Sequence, residues 1–224
     1  MGEITGFNRM EAQKLRSTIQ QTASSVGEEI ATEITNGIIK PMADAWYAEN
    51  AVTFFENFKA SVNEQAKLIR ESFDKFRQNL ENITNSWAET TGAESVSMAE
   101  ITAPEKIEID ISSILPKNSN GDRYLDDSMV EVVITSGIPS TEEAIKSQLA
   151  SLSKELNTET AFLGHGQDVA LKDCFAEVVD SVHTMFETLL TGEDSLKTAL
   201  DNYRSSYIEA AENIARNFTS GINS

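Results

Sequence analysis

Between Met42 and Thr91 the chain contains neither glycine nor proline, and its apolar residues there fall into two interleaved rows. Phe55, Val62, Ile69, Phe76 and Ile83 form one row; Ala66, Phe73, Leu80 and Trp87 form the other. Each row steps by seven residues, which is the spacing of a coiled-coil seam. About forty residues of helix span about 60 Å. A lone helix of that kind leaves its seam in water, so the pattern predicts a second helix folded back along it as an antiparallel hairpin. The preceding stretch supplies that helix. Asn8 is placed to cap it while Glu11 reaches back from three residues on. Leu15, Ile19, Val26, Ile30 and Ile34 mark one helical face, and Gly37 and Pro41 end or kink it.

The second half repeats the plan. Pro139-Ser140 followed by Glu142-Glu143 reads as a helix start, with Ile145, Leu149, Leu152 and Leu156 on one face. A break follows at Phe162-Leu163-Gly164-His165-Gly166. After Asp168, a capping residue, Leu171, Phe175, Val178, Val182, Met185 and Leu189 mark another helix. Gly192 predicts a bend or short break, beyond which Leu196, Leu200, Tyr203, Tyr207, Ile214 and Phe218 resume a heptad spacing. Between the halves lie Gly92, Pro104, Pro116, Gly121, Gly137 and Pro139. Here Ile107-Glu108-Ile109-Asp110-Ile111 alternates with period two and Val130–Thr135 is β-rich. The two runs predict either a small β-arm that can add to another chain's strand, or strands lying against the helices.

Composition agrees with a helical reading and narrows the function. Four prolines and eleven glycines in 224 residues leave little punctuation for an all-β chain. With 36 acidic against 18 basic side chains, the net charge of −18 excludes nucleic-acid binding by phosphate neutralisation and argues against anionic lipid. Residues 1–92 carry a net −4, residues 93–140 a net −6 and residues 141–224 a net −8, so docking of a basic partner is expected on the later segments. No Sec-type signal is visible, and no apolar run approaches the roughly 20 residues of a membrane span. Those absences leave export by another route, incorporation in a particle, or the cytoplasm.

Little in the chain suggests catalysis. Its two histidines, His165 and His183, have no Cys or second His at metal-ligand spacing. The single cysteine, Cys174, sits on a periodic apolar face and reads as a packed small hydrophobe. No glycine-rich phosphate loop or nucleophile elbow is present. Asn118-x-Asn120-Gly121-Asp122 with Asp126-Asp127 is rich in oxygen ligands but lacks the EF-hand register, so a polar turn is expected and no metal. No catalytic residue and no cofactor is assigned.

One stretch carries a resemblance. Ala45-Trp46-Tyr47-Ala48-Glu49-Asn50-Ala51, followed by Phe54-Phe55 and the long heptad helix, resembles the WXG (Trp-x-Gly) superfamily of type VII secretion. Members are small acidic helical hairpins with a Trp-x-Gly turn that pair into four-helix bundles. Residues 8–91 match that plan, with Ala48 standing where the family has glycine. At the corresponding break of the second half, Phe162-Leu163-Gly164 keeps the glycine and lacks the tryptophan. The resemblance implies diverged tandem hairpins forming an internal four-helix bundle. The family's export tag, Tyr-x-x-x-Asp/Glu, is not matched: Tyr203 is followed at the fourth position by Tyr207, and Tyr207 by Ala211, with Glu212 one residue late. Helical virion proteins of Gram-positive phages are also similar to such a hairpin.

The resulting expectation is a mainly α chain. An N-terminal hairpin (1–92) and a C-terminal hairpin (140–224) flank an irregular, short-stranded connector (93–139). Trp46, Tyr47, Ala48, Phe162, Leu163 and Gly164 form the hairpin turns and partner contacts. The function expected is non-enzymatic assembly with protein partners by helix packing, a further copy of the chain included. It takes the form of a WXG-like secretion partner or substrate, or alternatively of a phage-particle component.

Overall fold

The computed structural model describes residues 6–114, 124–158, 162–163, 167–193 and 195–222. The chain is mainly α and built from two tandem helical hairpins. In order it forms β1 (Gly6–Phe7), α1 (Arg9–Ile34), α2 (Lys40–Ala45), β2 (Trp46–Tyr47) and α3 (Glu49–Thr91), then β3 (Tyr124–Leu125) and α4 (Asp127–Val132). There follow α5 (Ile138–Thr158), β4 (Phe162–Leu163), α6 (Gln167–Phe186) and α7 (Leu196–Ile222). No helix among the described residues is long and apolar enough to cross a membrane.

The helices start and stop where local chemistry dictates. Asn8 caps α1, its Oδ1 accepting from the backbone N–H groups of Met10 and Glu11 at 3.0 and 3.2 Å. Asp126 does the same for α4, accepting from Ser128 and Met129. Gly92 ends α3 in the left-handed region at φ 68°, and the N–H of Ala93 reaches back to the carbonyl of Ala88.

Three π-helical turns, Thr35–Ile39, Val133–Gly137 and Glu187–Thr191, interrupt the longer helical runs. The first two explain how Pro41 and Pro139 sit inside helix. A proline lacks the N–H and crowds the carbonyl four residues back, and a widened turn accommodates both defects. In the widened turns Lys40 and Ile138 donate to the carbonyls five residues back, Thr35 and Val133. Helix therefore continues past Pro41 to Ala45, and the second hairpin's helix begins at Asp127, not at Pro139-Ser140. Val130–Thr135 is consequently helical and forms no β-arm; Val130, Val133 and Ile134 are buried in a helical core, while Val132 and Thr135 are exposed.

The chain divides into two compact units that do not coincide with the two hairpins. Residues 1–32, 62–108 and 142–185 form the first; residues 33–61, 109–141 and 186–224 form the second. Each unit thus draws on both hairpins and on the connector. In the first unit the core holds Leu15, Ile19, Val26, Ile30, Ile69, Phe73, Phe76 and Leu80, with Ile145, Leu152, Val178 and Val182 from the second hairpin. Ile83 and Trp87, at the far end of the predicted rows, are half-buried. In the second unit Ile34, Ile38, Ile39, Met42, Trp46, Phe55, Val130, Leu190 and Leu200 are buried. There the first two π turns meet so closely that a Cβ on Gly137 would overlap the carbonyl oxygen of Gly37.

The connector is an extended strap. Val96, Met98, Ile101, Ile107 and Ile109 are buried, which matches the alternation of Ile107 and Ile109. Among the described residues no strand pairs with it; helix side chains do instead. Asn85 both accepts from the N–H of Val96 (2.7 Å) and donates to its carbonyl (2.9 Å). Asp74 accepts from Ile101 at 2.9 Å, Asn63 from Ile107 at 2.8 Å and Gln20 from Thr102 at 3.1 Å. Arg16 donates to the carbonyls of Ala99 and Glu100. Buried backbone groups must be paired, and these side chains replace a neighbouring strand.

Candidate functional site

The aromatic turn predicted at Trp46-Tyr47-Ala48 lies in the second unit. It is an extended dipeptide between α2 and α3 that pairs antiparallel with β3, Trp46 opposite Leu125 and Tyr47 opposite Tyr124. Two further bonds fasten the pair: Asp126 N–H donates to the carbonyl of Ala45 at 2.6 Å, and the Tyr124 hydroxyl donates to that of Asp44 at 3.1 Å.

The two faces of this small ladder differ, as alternation along a strand requires. Trp46 points inward and is fully buried, within 4.6 Å of the Tyr203 ring on α7, 5.4 Å of Phe54 and 6.1 Å of Phe55, centroid to centroid. Its indole Nε1–H is buried and has no hydrogen-bond partner among the described residues. Tyr47 stacks parallel on Tyr124 at 5.7 Å, and Tyr124 is 47% exposed. Ala48 is buried, leaving no room for a larger turn residue. Trp46 is therefore a packing plug, and the aromatic surface offered to solvent belongs to Tyr124 with Tyr47.

Beside the ladder, Arg204 of α7 bridges Asp127 and Glu131 of α4. The hydrogen bond that the guanidinium donates to Asp127 holds its pKa above the ordinary value, ahead of the opposing effect of desolvation. Asp126 has its carboxyl lowered by hydrogen bonds from Ser128 and from the N–H of Met129. Both acids suspected of oxygen ligation are thus engaged in holding α4 and α7. The companion Asn118, Asn120, Gly121 and Asp122 lie outside the described residues, as do Gly164 and His165.

The second turn belongs to the first unit. Phe162-Leu163 forms β4 and pairs antiparallel with β1, Gly6 opposite Leu163 and Phe7 opposite Phe162. Phe7 stacks on Trp87 at 5.8 Å. The two turns follow one rule: each turn dipeptide pairs with the dipeptide that precedes the capping residue of the other hairpin's first helix, Gly6-Phe7 before Asn8 and Tyr124-Leu125 before Asp126. The two predicted turns belong to different units.

Sequence reasoning missed the row Asn63, Asp74, Arg77, Glu81 and Asn85 on α3. Arg77 is almost fully buried and bonded to Asp74 (2.9 Å), Glu81 (2.7 Å) and the carbonyl of Met98. Desolvation pushes the Asp74 carboxyl upward, but the hydrogen bonds from Arg77, Ile101 and Gln78 outweigh it and the pKa is lowered. The spacing of these polar residues along one helix face, beside the apolar seam, was the available signal. A groove of about 900 Å³ in this unit is lined by Leu68, Ser72, Asp74, Glu100, Ile101 and Ser181. Cys174 is half-buried and accepts from Asn79 Nδ2 at 2.8 Å, and desolvation raises its thiol pKa, the behaviour of a packed thiol rather than a nucleophile. Among the described residues no three His, Cys, Asp or Glu side chains converge as a metal site. No family model, no curated protein and no solved structure matches this chain.

Proposed function

We propose that the chain is a non-enzymatic assembly protein working through helix packing, and that within this class it is a WXG-like partner or substrate of type VII secretion. The observation that carries the reading is the turn Trp46-Tyr47-Ala48. It joins two long helices, buries its tryptophan against α3 and α7, and presents the stacked Tyr47 and Tyr124 rings at the surface. An aromatic pair held by a two-stranded ladder is a rigid contact of low entropic cost, a property favoured at interfaces.

Fractionation of the native source tests the reading. The expected result is free chain in the medium, lost when the membrane ATPase of the secretion system is inactivated. Stoichiometric recovery in sedimentable particles would overturn export and favour a virion component. A Tyr124→Ala variant that folds normally but no longer recovers its partner would assign the tip to assembly.

A further inference from the structure

Helix α7 passes into solvent within its own length. Leu200 is buried and Tyr203 packs on Trp46 and Phe54, yet every residue from Ile208 to Ile214 is exposed, Ile208 at 43% and Ile214 at 70%. Helical turns wet on all sides receive no tertiary support, and short helices are marginal alone in water. The apolar residues still keep to one line. At about 100° per residue, Tyr207, Ala210, Ala211 and Ile214 fall on one side, continuing the line of Leu200 and Tyr203, while Glu209, Glu212 and Arg216 fall opposite.

We propose that this line is a self-pairing surface on which a second copy of the chain lays its own α7 antiparallel. The order Tyr207-x-x-Ala210-Ala211-x-x-Ile214 reads large, small, small, large in both directions. Reversing a copy about its midpoint sets Tyr207 against Ile214 of the second copy and Ala210 against its Ala211. The facing alanines let the backbones approach closely, and the surface meets itself in a closed two-fold contact.

Charge selects the same occupant. The whole chain carries −18, so two copies repel over most of their surface, but residues 196–222 carry three basic and three acidic groups and no net charge. A basic partner finds no carboxylate on the apolar line. An anionic membrane meets no Lys or Arg beside Tyr207–Ile214, since Arg216 falls on the opposite side and Arg204 is bonded to Asp127 and Glu131. The inference rests on α7 alone and stands apart from the export reading.

Sedimentation equilibrium of the full chain, from low to high micromolar concentration, tests it. The expected mass rises to twice that of one chain. The double variant Ala210→Glu with Ala211→Glu keeps good helix formers in an exposed segment and stays at the mass of one chain, with an unchanged circular dichroism spectrum. Orientation is read in a Cys174→Ser background. Chains with Tyr207→Cys mixed with chains carrying Ile214→Cys cross-link on mild oxidation. Ile214→Cys alone does not, because its two copies lie about 10 Å apart along the pair, too far for a disulfide. A single-chain mass at every concentration, a double variant that still dimerises, or an Ile214→Cys chain that cross-links to itself as fast as the mixture would each overturn the proposal.

Discussion

Gly37 and Gly137 are both helical glycines in π turns, yet their tolerance of a side chain differs sharply. A Cβ at Gly137 would overlap the carbonyl oxygen of Gly37, a backbone atom that cannot rotate away. A methyl group at Gly37 would meet its nearest atoms, the Gly137 carbonyl oxygen and Thr141 Oγ1, at 3.5 Å, an ordinary contact. Gly137→Ala is expected to cost about 1–3 kcal/mol through overpacking. Gly37→Ala is expected to be neutral or to gain up to about 1 kcal/mol from helix propensity. Urea midpoints at constant m-value separate the two, and equal losses would contradict the close approach. Trp46 gives a second contrast. Trp46→Ala removes a fully buried indole and is expected to cost about 3–5 kcal/mol. Trp46→Phe keeps an aromatic ring and deletes an N–H that has no partner, so it should cost less than about 1.5 kcal/mol. A phenylalanine variant as damaging as alanine would mean that the N–H is satisfied.

At the scale of elements, the strap depends on helix side chains for its backbone hydrogen bonds, and Asp74 joins three partners, Arg77, Gln78 and Ile101. Because its pKa is lowered in the folded state, its contribution is fully present above the ordinary carboxylate value near 3.8 and is lost as pH falls through the folded value. Asp74→Asn should therefore destabilise by about 1–3 kcal/mol at pH 7, leaving the buried Arg77 short of a partner, and by less below pH 4. Denaturant titrations at the two pH values check this, and an equal loss at both would remove the ionised carboxylate from the account. The strap also marks where sequence patterns stop being informative. Heptad rows made the long helices legible, because a buried stripe has one period and Ile19, Phe55, Phe73 and Leu152 obey it. Alternation at Ile107 and Ile109 correctly gave an extended segment with one buried face, but period two says nothing about what pairs its edge. Pro139 misplaced the second hairpin's start by the length of α4 and a π turn, because a proline usually opens a helix and here a widened turn absorbs it. The turn Trp46-Tyr47 was legible from its aromatics. Its pairing with Tyr124-Leu125 was not, since two residues carry no register signal.

At the scale of the molecule, charge opposes compaction. A net charge of −18 on 224 residues repels itself, and self-repulsion destabilises any compact state. Two groups of ion pairs work against that trend, Arg77 with Asp74 and Glu81 in one unit, and Arg204 with Asp127 and Glu131 in the other. The first is buried and therefore weakly screened; the second is partly exposed and loses strength in salt. Diffuse repulsion among the remaining carboxylates acts over distances comparable with the Debye length, about 10 Å at 0.1 M salt, and is screened most. The sum predicts that sodium chloride stabilises this chain: melting should move up by several degrees between low salt and about 0.5 M, with most of the gain below about 0.15 M, where screening changes fastest. Because hydrophobic burial responds to the kind of salt while screening responds to ionic strength, chloride and sulfate should act alike when matched in ionic strength over that lower range. A melting temperature that falls with added chloride would mean that the ion-pair groups, and not the net charge, dominate the electrostatics of the fold.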